Sequence, residues 1–156
     1  VVSIQSNKDS FAALKSDGTV YYWGSRFSGG SVSSAEVNTF LTIGGVTSIH
    51  SNDQAFVATK SDGSAVAWGS PWNGGVLPDN LTGLTNVTGV YNGSKTFVAV
   101  KDDGDVHIWG YSTSGGKTDC TVPITCRGVS NEVLDNANIV KAFGNEWALG
   151  VLKADD

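Results

Sequence analysis

The chain has 156 residues, 40% of them hydrophobic and 16% charged, and its 10 basic against 15 acidic side chains give a formal charge of −5. That length suits one domain burying roughly two-thirds of its unfolded surface. The acidic balance and the scattered Lys and Arg argue against a phosphate-gripping surface, so no nucleic acid is expected as a partner. No run of about 18 uninterrupted apolar residues occurs, so the chain is not expected to be membrane-spanning.

In chain order, Val1 to Ser6 reads as an inner strand, followed by strands over 11–16 and 19–24 separated by Asp17-Gly18. Asp-Gly tolerates the positive φ angles of a two-residue hairpin turn. Phe11, Ala13 and Lys15 then share one face and Ala12 and Leu14 the other. Both faces are apolar, as a sheet sandwiched between two neighbours requires. A Ser-rich connection over 31–45 leaves room for a fourth strand at Val37 to Ile43. The same layout returns with strands over 46–51, 56–61 and 64–69, and again over 87–92, 97–102 and 105–110, each hairpin turning at Asp62-Gly63 or Asp103-Gly104. A last strand is expected over 139–143, and helix is expected almost nowhere outside 129–138.

The layout returns because the sequence does. Residues 1–30, 46–75 and 87–116 align without a gap, the first two sharing 16 of 30 positions. Phe, Ala, Lys, Asp-Gly, Trp-Gly and Gly-Gly keep their offsets in FAALKSDGTVYYWGSRFSGG, FVATKSDGSAVAWGSPWNGG and FVAVKDDGDVHIWGYSTSGG. Repeat starts fall 45, 41 and 52 residues apart, a spacing typical of propeller blades and other stacked arrays. The units are 1–45, 46–86, 87–138 and a partial fourth, 139–156, inside a single domain.

This pattern resembles the regulator-of-chromosome-condensation repeat: a hydrophobic strand, a second strand ending in Asp-Gly, and a third closing in Trp-Gly with glycine soon after. The spacing of Pro78, Leu81, Leu84, Val87 and Val90 is similar to the family's linker. The resemblance implies an all-β fold, a partial or open β-propeller-like array of antiparallel blades. The family includes nucleotide-exchange factors, a plant ultraviolet photoreceptor and a secreted β-lactamase inhibitor, so the blade alone does not fix the function. Here the family's His-Thr is Ser10-Phe11, Ala55-Phe56 and Thr96-Phe97, and its Gly-Gln-Leu-Gly is reduced to Gly-Gly. These departures set the chain apart from the chromatin-binding and exchange-factor members. Three and a half blades do not close a seven-bladed ring, which leaves a piece of a larger propeller, an open array covered by partners, or a smaller ring.

Recurrence at one blade position means packing, so Trp23, Trp68 and Trp109 are read as core. Lys15, Lys60, Lys101 and Lys153 are read as stems laid over the neighbouring blade with the ammonium in water beside an Asp. What varies between copies is the loop after Trp-Gly, where Arg26, Phe27, Trp72 and Tyr111 stand among Ser, Asn and Gly. Aromatics in such loops suit a partner-binding surface, or a platform for stacking sugars, unless they tuck under their own loops. The Asp-Gly tips, Asp17, Asp62, Asp103 and Asp155, line the opposite rim, which Asp102 and Asp105 make more acidic.

Both cysteines lie in the longest connection. Cys120 and Cys126 enclose five residues around Pro123, a spacing that suits a disulfide, with two reduced thiols as the alternative. The disulfide would imply an oxidising compartment, secreted or an organelle lumen, and Asn80, Asn86 and Asn92 head Asn-X-Ser/Thr triplets. The first residues carry no leader-like segment, so localisation stays unknown from them. His50 and His107 stand where sibling repeats have other residues, so neither is expected to ligate metal. The carboxylates at Asp102, Asp103 and Asp105 crowd a turn where solvent keeps them ionised. There is no nucleophile elbow and no phosphate loop. The expected function is therefore non-catalytic: no enzyme and no cofactor, but a protein-interaction or structural subunit whose partners are other protein subunits. A lectin-like module binding glycan and a secreted inhibitor-like binder are the alternatives.

Overall fold

A computed structural model describes residues 1–111, 139–144 and 149–154. Its core is three antiparallel three-stranded sheets, one in each of the first three repeats. The first holds β1 (Ser3–Ser6), β2 (Ser10–Leu14) and β3 (Val20–Gly24), and the second β4 (Val46–Ser51), β5 (Ala55–Lys60) and β6 (Ala65–Gly69). The third holds β7 (Val87–Asn92), β8 (Thr96–Lys101) and β9 (Val106–Gly110). In the fourth repeat β10 (Ile139–Gly144) pairs with β11 (Leu149–Lys153). This is the all-β blade array that the repeats imply. Cys120, Cys126 and Asp155 lie outside the described residues. Among the described residues no helix is long and apolar enough to cross a membrane.

The registers repeat as the sequence does. Phe11 faces Trp23, Phe56 faces Trp68 and Phe97 faces Trp109 across each second hairpin. Their rings lie 5.2, 5.2 and 5.6 Å apart, within the range of favourable aromatic pairs.

The hairpin turn is one residue longer than the sequence reading assigned. Lys15 N–H reaches Thr19 C=O and Gly18 N–H reaches Lys15 C=O, so Ser16, Asp17 and Gly18 all lie in the loop. The same bonds recur at Lys60 to Ser64 and at Lys101 to Asp105. Gly18 has φ of 76°, the left-handed residue that closes a three-residue hairpin loop. Its C=O accepts from Val46 N–H at 3.0 Å, so the tip of one blade also anchors the first strand of the next.

The expected fourth strand at Val37 to Ile43 is instead a helix, α1 (Ala35–Thr42). Ser34 Oγ caps it by accepting from Val37 N–H, Glu36 sits in its first turn, and Gly44 and Gly45 end it in left-handed conformations. Val37, Phe40 and Leu41 fall on one face by helical spacing and turn toward the neighbouring sheet. Three short 3-10 turns, Arg26–Ser28, Pro71–Asn73 and Asp79–Leu81, are further helical turns outside 129–138.

Among the described residues two apolar clusters flank the second sheet, one on each side. Phe56, Ala58 and Trp68 face the first blade, where Ala12, Leu14, Val20 and Leu41 meet them. Ala55, Val57 and Ala67 face the third, packing on Phe97, Ala99 and Trp109. Alternate residues of β5 thus enter opposite clusters, which is why the strand is apolar from Ala55 to Ala58.

Candidate interaction site

The two ends of each blade are built differently. At the Asp-Gly end the carboxylates fold their own turns. Asp17 Oδ1 accepts from Thr19 N–H and Oγ–H at 2.9 and 2.7 Å, and Asp62 accepts likewise from Ser64 at 2.9 and 2.6 Å. These bonds stabilise the charged form and hold both carboxyls below the usual range. Asp103 is lowered mainly by its 2.9 Å bond from Lys101, which raises the lysine in turn. Lys60 reaches over the preceding repeat, its ammonium 4.2 Å from the Phe40 ring centroid, and its charge also helps to lower Asp62.

At the opposite end, the first two loops after Trp-Gly each make one 3-10 turn and close on a left-handed glycine. Gly30 N–H reaches Ser25 C=O and Gly75 N–H reaches Ser70 C=O, both at 2.8 Å. Two asparagines that the sequence reading passed over fasten these loops. Asn7 Nδ2 donates to Ser28 C=O at 2.6 Å while its Oδ1 accepts from Ser10 N–H at 2.8 Å. Asn52 repeats this, donating to Asn73 C=O at 2.7 Å and accepting from Ala55 N–H at 3.0 Å. Their signal was the in-register Asn7 and Asn52 themselves; Gly93 takes that place in the third repeat.

So fastened, the loops expose their aromatics. Phe27 and Trp72 occupy the same offset and are 68% and 74% exposed, so neither tucks under its loop. The Arg26 guanidinium lies 4.6 Å from the Phe27 ring centroid. Tyr111 follows Trp-Gly two residues earlier in its loop and is half-buried, with the Lys95 ammonium 5.5 Å from its ring centroid. The structure therefore pairs Phe27 with Trp72 and sets Tyr111 apart.

Beside Phe27 a groove of about 830 Å³ runs between the 31–45 connection and the 76–85 connection, with β6 as its floor. Phe27, Val32, Val37, Phe40, Val66 and Leu77 line it. The bonds from Ser70 N–H to Gln54 C=O and from Lys60 N–H to Ser64 C=O set the phase of the ladder, so Ala65, Ala67 and Gly69 turn their main chain away from β5. Leu84 C=O takes the Ala65 N–H at 3.1 Å. Ala67 makes no such bond among the described residues, leaving an open strand edge in the groove.

Neither histidine lines this groove. His50 Nε2 contacts Ser48 Oγ at 3.1 Å, and burial holds its pKa down. Burial is also the chief cause of the lowered pKa of His107, opposed by Asp105. Among the described residues no three His, Cys, Asp or Glu side chains group to hold a metal ion.

No protein-family model matches the sequence, and no curated protein matches it. Solved structures do match. Human WBSCR16 is similar over 99% of this chain and 44% of its own, at 17% identity and a TM-score of 0.62. Prp20p from Saccharomyces cerevisiae is similar over the same shares, at 19% identity and 0.63. The ectodomain of the Physcomitrella patens receptor kinase CR4 is similar over 97% and 38%, at 15% identity and 0.60. The fold is that of the RCC1-like β-propellers, and the chain spans less than half the length of these structures.

Proposed function

We propose that the chain is a non-catalytic protein-interaction subunit whose contact surface is the loop end of its blades, around Arg26, Phe27, Trp72 and Tyr111. The observation that carries this reading is the pair of exposed aromatics, Phe27 and Trp72, held at equivalent places by rigid turns beside an apolar groove. Large aromatics on a preorganised scaffold bury much area at little entropic cost and dominate interface energies. The open main chain of Ala67 adds hydrogen-bonding groups suited to an extended polypeptide. A sugar platform is less well served, because Arg26 already covers one face of Phe27. A propeller of this fold supports the reading: Prp20p, the yeast RCC1, has binding properties toward Gsp1p and histones and is bound by Kap60.

The test starts from a protein that co-purifies with the native chain, titrated calorimetrically against variants. The double change Phe27→Ala and Trp72→Ala should abolish binding without lowering the melting temperature. Asp62→Asn with Asp103→Asn should leave binding unchanged. An essential Asp pair with a dispensable aromatic pair would move the contact surface to the other end of the blades, and a hit on a glycan array lost in the aromatic variant would convert the reading to a lectin.

A further inference from the structure

The groove beside Phe27 opens on the edge of a sheet, and its lining divides along the two faces of that sheet. Val32, Val37 and Phe40 pack with Val66 and Trp68 on the side of the first blade, whereas Leu77 and Leu84 pack with Ala65 and Ala67 on the side of the third. Val32, Val37, Phe40 and Leu77 are only half-buried. Apolar surface is therefore left uncovered on both sides of one strand.

Between the two walls lies main chain. Ala67 is 5% exposed, turns its N–H and C=O away from β5, and makes no further main-chain bond among the described residues. Two residues earlier the same edge is already paired, since Ala65 N–H donates to Leu84 C=O at 3.1 Å. A donor and an acceptor this well buried are nearly always partnered. Water can supply both bonds but leaves the apolar walls bare. A polypeptide strand one spacing away, about 4.8 Å, supplies both bonds and carries side chains to both walls. A helix has spent its own main-chain groups and offers one apolar stripe to a groove with two walls. Charge adds no preference. Among the described residues Arg26 is the one basic and Glu36 the one acidic side chain in the lining, although the whole chain carries −5.

We infer that this groove takes an extended, uncharged segment of a partner protein, patterned large apolar, small, large apolar, laid along β6 and bonded to the Ala67 main chain. The inference rests on the protein-interaction reading and names the form that the partner takes here. The pattern follows from the pleat. A residue opposite Ala67 puts its side chain on the face of Ala67, where Leu77 and Leu84 already pack, so a small one fits. Its two neighbours lie beside Val66 and Trp68 and meet the wall of Val32, Val37 and Phe40.

The probe is the acetylated, amidated peptide Thr-Ile-Ala-Ile-Thr, titrated into the isotope-labelled chain and followed by amide shifts and hydrogen exchange. Saturable shifts should centre on Val66, Ala67 and Trp68, and saturation should slow exchange at Ala67 N–H by about tenfold, the factor that one hydrogen bond carries. N-methylating the central alanine removes the donor of an antiparallel pairing, and N-methylating the isoleucine after it removes that of a parallel one. One of the two should weaken binding by about tenfold while the other leaves it unchanged. Aspartate in place of both isoleucines should abolish it. Ala67→Pro, tolerated where an edge N–H points off the sheet, should reproduce the loss; if that variant does not fold, the N-methylated peptides decide. Equal binding of both N-methylated peptides, or of a leucine-rich peptide that is helical when bound, would overturn the inference, as would the absence of saturable shifts along β6. These titrations use the chain alone, so their failure leaves the loop-end reading standing. A co-purifying protein indifferent to Phe27→Ala with Trp72→Ala would remove that reading, while the peptide result still decides the groove.

Discussion

The equivalence of Trp23 and Trp68 permits a controlled measurement of what burial alone is worth. A tryptophan side chain buries about 200 Å², which at about 25 cal/mol per Å² is on the order of 5 kcal/mol when cover is complete. Trp68 is only 3% exposed, stacks on Phe56 at 5.2 Å and donates to Gly29 C=O. Trp68→Ala opens a cavity between two blades that cannot collapse without moving both, so its cost should be about 3–5 kcal/mol. Trp23 makes the same stack at 5.2 Å but is 38% exposed and, among the described residues, makes no indole hydrogen bond. Trp23→Ala leaves no enclosed cavity, and its cost should be about 1–2 kcal/mol, from lost area and stacking. Urea unfolding followed by far-ultraviolet circular dichroism gives both values, provided the slopes with denaturant agree. Equal losses would show that blade-to-blade cover contributes little, which would undo the packing account of the two clusters beside the second sheet.

Asn52→Ala removes the acceptor for Ala55 N–H and the donor to Asn73 C=O, so it should cost about 2–3 kcal/mol by stranding buried main-chain groups, again read by urea unfolding. Asn52→Asp keeps the acceptor and should recover part of that loss. His50 sets a pH dependence: burial lowers its pKa in the folded state below the ordinary 6.5, so between those values the unfolded chain binds more protons. The stability associated with neutral His50 is present above pH 6.5 and is lost as pH falls through the folded pKa. Thermal melts from pH 7.5 down to 5 should show this fall, and His50→Gln, the residue of the first repeat, should flatten it. A slope unchanged in the variant would mean that another group titrates.

Much of this architecture was legible in the chain because it is written three times. In-register Phe, Asp-Gly and Trp-Gly give strand, turn and strand, and β-hairpins form from contacts between residues close in sequence. The open edges of the reading were local too. The three-residue turn differs from a two-residue one by a single hydrogen bond at Lys15, and Val37 to Ile43 has the β-branched and aromatic composition of a strand. The helix there is decided by Ser34 at its start, by Gly44 and Gly45 at its end, and by the apolar stripe that Val37, Phe40 and Leu41 present to the next blade. Of the loop residues singled out, Phe27 and Trp72 proved equivalent and exposed, while Tyr111 is half-buried.

The sequence by itself determined the repeat, the sheet within each repeat and the alternation that gives a blade two apolar faces, since all of these follow from periodicity over a few residues. Only the tertiary structure decided which faces are covered. Trp23 and Trp68 stand at the same offsets from Phe, Lys, Asp-Gly and Gly-Gly, and the repeat pattern does not distinguish them. Whether the indole is core or surface depends on a carbonyl belonging to a residue 39 positions earlier in the chain, Gly29 for Trp68, and on the blade that carries it. Burial is a property of the pair of blades, and a single repeat cannot encode the partner that lies against it.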